Sequence, residues 1–179
     1  MLFVIGAIFL VIICMVAWFI GTSNRIKMAD LKISEALSGI DVALTKRYDV
    51  LSKMLDSVKA FQKYESDTFT KLVNLRMGMS MKERNDANRD MDKLSSEIRV
   101  VAENYPELKS SENYVTLQRS IIDVEEHLQA ARRLYNANVT VYNRLIVTFP
   151  SSIVANSMGA VNKPYFEAEG YKREDVKII

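Results

Sequence analysis

The sequence predicts an all-α protein, an N-terminal transmembrane helix followed by an antiparallel bundle of long helices. Three observations predict it. The first twenty residues are almost wholly apolar, Gly and Pro number only six and three in 179 residues, and from Met28 apolar residues recur at spacings of three and four. Few Gly and Pro mean few tight turns, which argues against a strand-rich domain and allows helices to run long. The length suits one soluble domain of ordinary size.

The apolar run from Leu2 to Ile20 contains no charged side chain. As a helix it spans roughly 28 Å, close to the thickness of a bilayer's hydrocarbon core. A helix also satisfies its own backbone hydrogen bonds, as that medium requires. Trp18 and Phe19 close the run, where aromatic rings sit among headgroups. A cleaved secretory signal would need a charged start, a shorter apolar core and small residues at the exit. Gly21-Thr22-Ser23-Asn24 offers no such site. Arg25, Lys27 and Lys32 follow the run and no Lys or Arg precedes it, so the positive-inside rule puts the N-terminus outside and the domain in the cytoplasm.

Behind the anchor, Ile33, Leu37, Ile40, Leu44, Leu51, Met54, Val58, Phe61, Leu72 and Leu75 trace a helical stripe through Met79, with Gly78 as a stop signal. Arg47, Glu65 and Thr68 interrupt a strict heptad, so the stripe suits a bundle better than a two-stranded coiled coil. A polar second helix is expected from about Lys82 to Asn104, with Met91, Leu94, Ile98 and Val101 on one face. Lys93–Glu97 and Arg99–Glu103 are its expected exposed pairs. Tyr105-Pro106-Glu107 breaks it. Ser110 and Ser111 are placed to cap a third helix, about Glu112 to Thr148, with Val115, Leu117, Ile121, Val124, Leu128, Leu134, Val141 and Leu145 as its stripe. Phe149-Pro150-Ser151-Ser152 ends it, and a short helical turn over Ile153 to Met158 follows. The expected organisation is a transmembrane anchor over 1–24, a cytoplasmic helical bundle over 25–160 and a tail over 161–179. Tyr165 and Phe166, adjacent aromatics after Pro164, are expected to dock that tail on the first or third helix.

Charge and residue inventory narrow the chemistry. The net charge of +2 comes without a basic stripe, which speaks against nucleic acid as a partner. Cys14 is the single cysteine and lies in the apolar run, so no intrachain disulfide forms. His127 is the single histidine, and with Asp123 one turn away it supplies too few ligands for a metal site. It reads as part of a solvated polar face. Lys46-Arg47 and Arg132-Arg133 are basic pairs whose expected role is structural, neutralised by carboxylates such as Glu125, Asp41 and Asp49. Tyr48, Tyr135 and Tyr142 read as packing residues at helical spacing. Asn138-Val139-Thr140 matches a glycosylation acceptor by chance, mid-helix. No phosphate loop, C-x-x-C pair or nucleophile elbow occurs. The residues name no catalytic, cofactor-binding or metal-ligating side chain.

Ile40-Asp41-Val42-Ala43-Leu44-Thr45-Lys46-Arg47-Tyr48-Asp49-Val50-Leu51 resembles the I-D-V-x-L-x-[KR]-R-x-D-L segment of the LemA family of single-pass bacterial membrane proteins. Val58-Lys59-Ala60-Phe61 is similar to that family's next turns. Arg132-Arg133-Leu134-Tyr135-Asn136 with Val141-Tyr142-Asn143, then Phe149-Pro150-Ser151 and Pro164-Tyr165-Phe166-Glu167, resemble its later pieces in order. Two positions depart: Ser52 stands where many members have Pro, and Leu37 where many have Trp. The resemblance implies an N-out anchor, a cytoplasmic helical bundle and no established catalysis.

The function expected is a non-enzymatic scaffold or adaptor at the inner face of the cytoplasmic membrane, without cofactor. Its expected partners are the lipid bilayer and an unidentified membrane or cytoplasmic protein. The alternative is a self-assembling, membrane-organising protein, a homo-oligomer through the anchor and long helices, with Ala17-x-x-x-Gly21 as a close-approach pair.

Overall fold

The computed structural model describes residues 1–61 and 79–166, and every regular element among them is helical. Helix α1 spans Leu2–Phe61, α2 Met81–Asn104, α3 Pro106–Lys109, α4 Glu112–Val147 and α5 Ser151–Ser157. The apolar run is therefore the opening section of α1, and the helix is unbroken where the anchor was expected to end. That section is long and apolar enough to cross a membrane, and none of it is covered by protein. Its length and composition are those of a candidate membrane span. Leu72, Leu75 and the stop at Gly78 lie outside the described residues, as do Glu65 and Thr68.

The caps show why the helices begin and end as they do. Ser80 opens α2 with a reciprocal capping box: Glu83 N donates to Ser80 Oγ at 3.3 Å, and Ser80 N donates to Glu83 Oε2 at 2.6 Å. Tyr105 ends α2, and Pro106 starts the short α3 at a position where its missing N–H costs nothing. Ser111 caps α4, its Oγ accepting from Tyr114 N at 3.3 Å. The Phe149–Pro150 bond, which is cis, lies between α4 and α5. Gly159 ends α5 at φ +65°, and Ala160 N donates back to Ala155 O at 3.0 Å. Such a left-handed stop favours glycine.

The described residues form two compact units, Met1–Leu37 with Leu134–Tyr165, and Ser38–Arg133 with Phe166. In the first, Asn138 Nδ2 donates to Lys32 O at 3.0 Å, while Ser23 Oγ meets Met158 Sδ at 3.2 Å. Chain numbers rise on one side as they fall on the other, so α4 runs antiparallel to α1 there. In the second unit, Arg84 meets Asp41 while Asn88 and Asp92 meet Arg47. Both sets of numbers rise together, and α2 runs in the same direction as α1. Helix α4 is antiparallel to α2, with Tyr114 near Arg99 and Glu103, and Glu125 near Asp92.

Core residues follow the expected stripe on α1, with Ile33, Ile40, Leu44, Leu51, Met54 and Val58 buried. Met91 and Ile98 do the same on α2. On α4 the stripe differs from expectation past Leu128. Leu134 and Val141 are exposed, and the buried face is Tyr135, Val139, Tyr142 and Ile146. Counting in threes and fours from Leu128 reaches both sets, and large tyrosine side chains take the core positions with their hydroxyls at its edge.

Candidate functional site

The most concentrated polar chemistry in the described residues lies inside the second unit. Arg47 occupies the core face of α1 between Leu44 and Leu51, and is only 3% exposed. A guanidinium there requires partners for its whole fork. Nη1 donates to Asn88 Oδ1 at 2.7 Å and Asn88 O at 3.3 Å, Nη2 pairs with Asp92, and Nε stands 2.5 Å from Glu125 Oε1. One side chain from α1 thereby joins α2 and α4. Asn88 Nδ2 in turn donates to Asp92 Oδ2 at 3.3 Å. A turn earlier on α2, buried Arg84 grips Asp41 of α1 with two bonds, Nε to Oδ1 at 2.6 Å and Nη2 to Oδ2 at 2.8 Å. It also donates to Met79 O. This bidentate geometry is the one in which arginine is most selective for carboxylate.

Burial pushes the Glu125 carboxyl above its ordinary value of 4.5, with Arg47 pulling it down, Asp92 pushing it up and Arg132 pulling it down. A raised folded-state value contributes stability that is present below the unfolded pKa and is lost as pH rises through the folded one. Wild-type stability relative to Glu125→Gln should therefore fall as pH climbs from about 4.5 toward neutrality. Unfolding midpoints of both proteins across that range measure it. A difference that does not change with pH would show a solvated carboxylate.

The last described segment, 161–166, is tied down on both sides of Pro164. In the first unit Lys163 N donates to Asn143 Oδ1 at 2.8 Å, and Asn143 Nδ2 donates back to Lys163 O at 2.9 Å. Tyr135 Oη donates to Pro164 O at 2.9 Å. Lys163 Nζ lies 2.9 Å from Asp30, and that bond raises its pKa above the ordinary lysine value. In the second unit Phe166 is 3% exposed, with the Arg132 guanidinium 4.8 Å from its ring centroid. Of the two aromatics, Phe166 is the buried one. Tyr165 is exposed, its hydroxyl 3.3 Å from Thr140 Oγ1. Residues 167–179, the rest of the expected tail, lie outside the described residues.

Other residues singled out from sequence take simpler places. His127 is 69% exposed and 3.6 Å from Asp123, a solvated one-turn pair. His127→Gln should leave stability within about 0.5 kcal/mol, read as an unchanged melting curve. A drop of several degrees would show that the imidazole has a structural role. Among the described residues no group of three or more His, Cys, Asp or Glu gathers closely enough to hold a metal ion. Arg47 is neutralised by Glu125 as expected, but its other carboxylate is Asp92 on α2, and Asp41 serves Arg84. Lys93 pairs with Asp90 at 3.6 Å instead of the expected Glu97. Val141 lines a shallow groove of about 330 Å³ in the first unit, with Arg25, Met28, Lys32, Asn138 and Leu145.

Sequence reading did not single out Arg84, Asn88 or Asp92. A signal was present: Arg84 and Asn88 stand seven and three residues before Met91, in phase with the apolar face of α2. Polar residues in phase with a stripe mark buried groups that need partners.

Residues 36–179 match the LemA family. The chain is 31% identical over 170 residues to Protein LemA of Metamycoplasma hominis, an alignment covering 88% of this chain and 74% of that protein. It is also 28% identical over 69 residues to Magnetosome protein MamQ of Magnetospirillum gryphiswaldense, covering 38% of this chain and 25% of that protein.

Proposed function

The chain belongs to the LemA family, and from that membership and the chemistry of the bundle we propose that it is a membrane-anchored, non-enzymatic scaffold or adaptor at the inner face of the cytoplasmic membrane. One observation carries this reading. The buried charged groups, which a catalytic site would aim at a substrate cleft, here face one another across α1, α2 and α4 and fix how those helices pack. The packed helices of the second unit thus offer a contact surface on a chain that one helix holds near lipid. Photo-cross-linking in intact cells, followed by isolation of the full chain, should recover a reproducible partner in stoichiometric yield. Adducts confined to copies of the chain itself would overturn the adaptor reading.

That outcome would favour the second reading, lateral self-assembly. Its support is the exposed Ala17-x-x-x-Gly21 pair, where a Cβ added at Gly21 meets nothing within 4 Å and the helix face is open to close approach. Solution mass in detergent separates the two readings, a discrete small species for an adaptor and a large assembly for an organiser.

Orientation rests on Arg25, Lys27 and Lys32 beyond the span. In a Cys14→Ser background, a cysteine at exposed Ser157 should resist a membrane-impermeant thiol reagent in intact cells. Labelling as efficient as at a known external site would reverse the orientation.

A further inference from the structure

Outside the span, the first unit exposes Leu31, Leu134 and Val161 singly, whereas its most exposed large apolar side chain, Phe149, stands with two others close in sequence at the junction of α4 and α5. Phe149 is 81% exposed and Ile153 57%, with Val147 exposed beside them. Large apolar groups gathered this way usually mark a contact surface. Their position says which. Ser23 Oγ touches Met158 Sδ at 3.2 Å, so the end of α5 lies against α1 only three residues past Ile20, the last residue of the apolar run. Three residues of helix rise about 4.5 Å, whereas the headgroup layer on each face of a bilayer is roughly 5–7 Å deep. Thr22 and Ile26 are already buried by protein, while Ile20 is 54% exposed. No spacer separates the domain from the membrane.

Helix α4 approaches this level from the other direction. Its Asn138 meets Lys32, and further along it Leu145 shares the groove with Arg25. The chain that follows, Val147 to Ile153, must then lie at the depth where the span leaves the hydrocarbon.

We propose that the α4–α5 junction is a second membrane contact, in which Phe149 and Ile153, with Val147, insert at the headgroup boundary of the same bilayer that α1 spans. Phe149 joins Trp18 and Phe19 as an interfacial aromatic, and exposed Arg25 and Lys27 lie just beyond, at reach of headgroup phosphates. Two contacts on one bilayer fix the tilt and rotation of the unit in a way that one helix cannot. The inference rests on the anchoring of α1 proposed above but not on which side of the membrane the domain occupies.

The test uses the full chain in vesicles of phosphatidylcholine and phosphatidylglycerol, with bimane on a single cysteine. Four sites are compared: native Cys14, and Phe149→Cys, Ile153→Cys and Ala137→Cys in a Cys14→Ser background. The labels at 149 and 153 should be quenched by shallow nitroxide lipid, shielded from aqueous iodide and blue-shifted relative to exposed position 137. Iodide quenching at 149 and 153 equal to that at 137, with Cys14 quenched by deep nitroxide lipid, would overturn the second contact and leave the anchor standing. Absence of lipid quenching at Cys14 would overturn both.

Discussion

Replacing Arg47 with methionine should lower the melting temperature of the helical domain by roughly 6–12 °C, from a loss of about 3 kcal/mol. Methionine keeps most of the volume, so the effect isolates charge. Without the guanidinium, Asp92 and Glu125 face each other in a half-buried setting, and Asn88 loses its donor. Breaking a buried pair in this way usually costs about 3–5 kcal/mol. The lower end applies because the carboxylate side chains are 22% and 34% exposed and keep some water. Arg47→Lys should also destabilise, since one ammonium cannot reach acceptors on α2 and α4 together. Adding Glu125→Gln to Arg47→Met should recover part of the loss, as neighbours in one network are not additive. Thermal unfolding followed by far-ultraviolet circular dichroism measures all three. A shift under about 2 °C for Arg47→Met would mean the network is solvated and does not hold the helices.

The same network shows what can be read from sequence and what cannot. The helices were readable because their signals are local: a charge-free run of bilayer length, Ser110 and Ser111 before helical periodicity, and proline at the breaks. Arg47 was readable as an interruption of a stripe. Its partners on α2 were not, because pairing across helices depends on register and direction. The chain between α1 and α2, residues 62–78, contains no signal that α2 would return parallel to α1. The only clue was that Arg84 and Asn88 share a face with Met91. On α4 the error had a different source. Leu134 and Tyr135 are neighbours, and hydrophobicity favours leucine as the core residue. Tyr135 takes the core position instead, and its hydroxyl donates to the carbonyl of Pro164. The segment 161–166 has no periodicity, so its placement could be argued only from the cost of leaving two aromatics in water.

Phe166→Ala is expected to destabilise by about 3 kcal/mol, close to the Arg47 effect but from a different cause. The ring is almost completely buried and loses both its transfer free energy and its contact with the Arg132 guanidinium. Truncating a buried phenylalanine usually costs about 3–5 kcal/mol. Tyr165→Phe provides the control one residue away. That ring is exposed and its hydroxyl has a single long contact to Thr140, so the loss should stay within about 0.5–1 kcal/mol. Phe166→Leu should lie between them, since it retains apolar burial and removes the aromatic face that the cation requires. Urea unfolding at constant detergent gives the three free energies on one scale. Equal losses for Phe166→Ala and Tyr165→Phe would show that the ring adds nothing beyond the backbone bonds of Lys163 and Pro164. The segment would then be held by the bonds to Asn143 and Tyr135 and the Lys163–Asp30 ion pair.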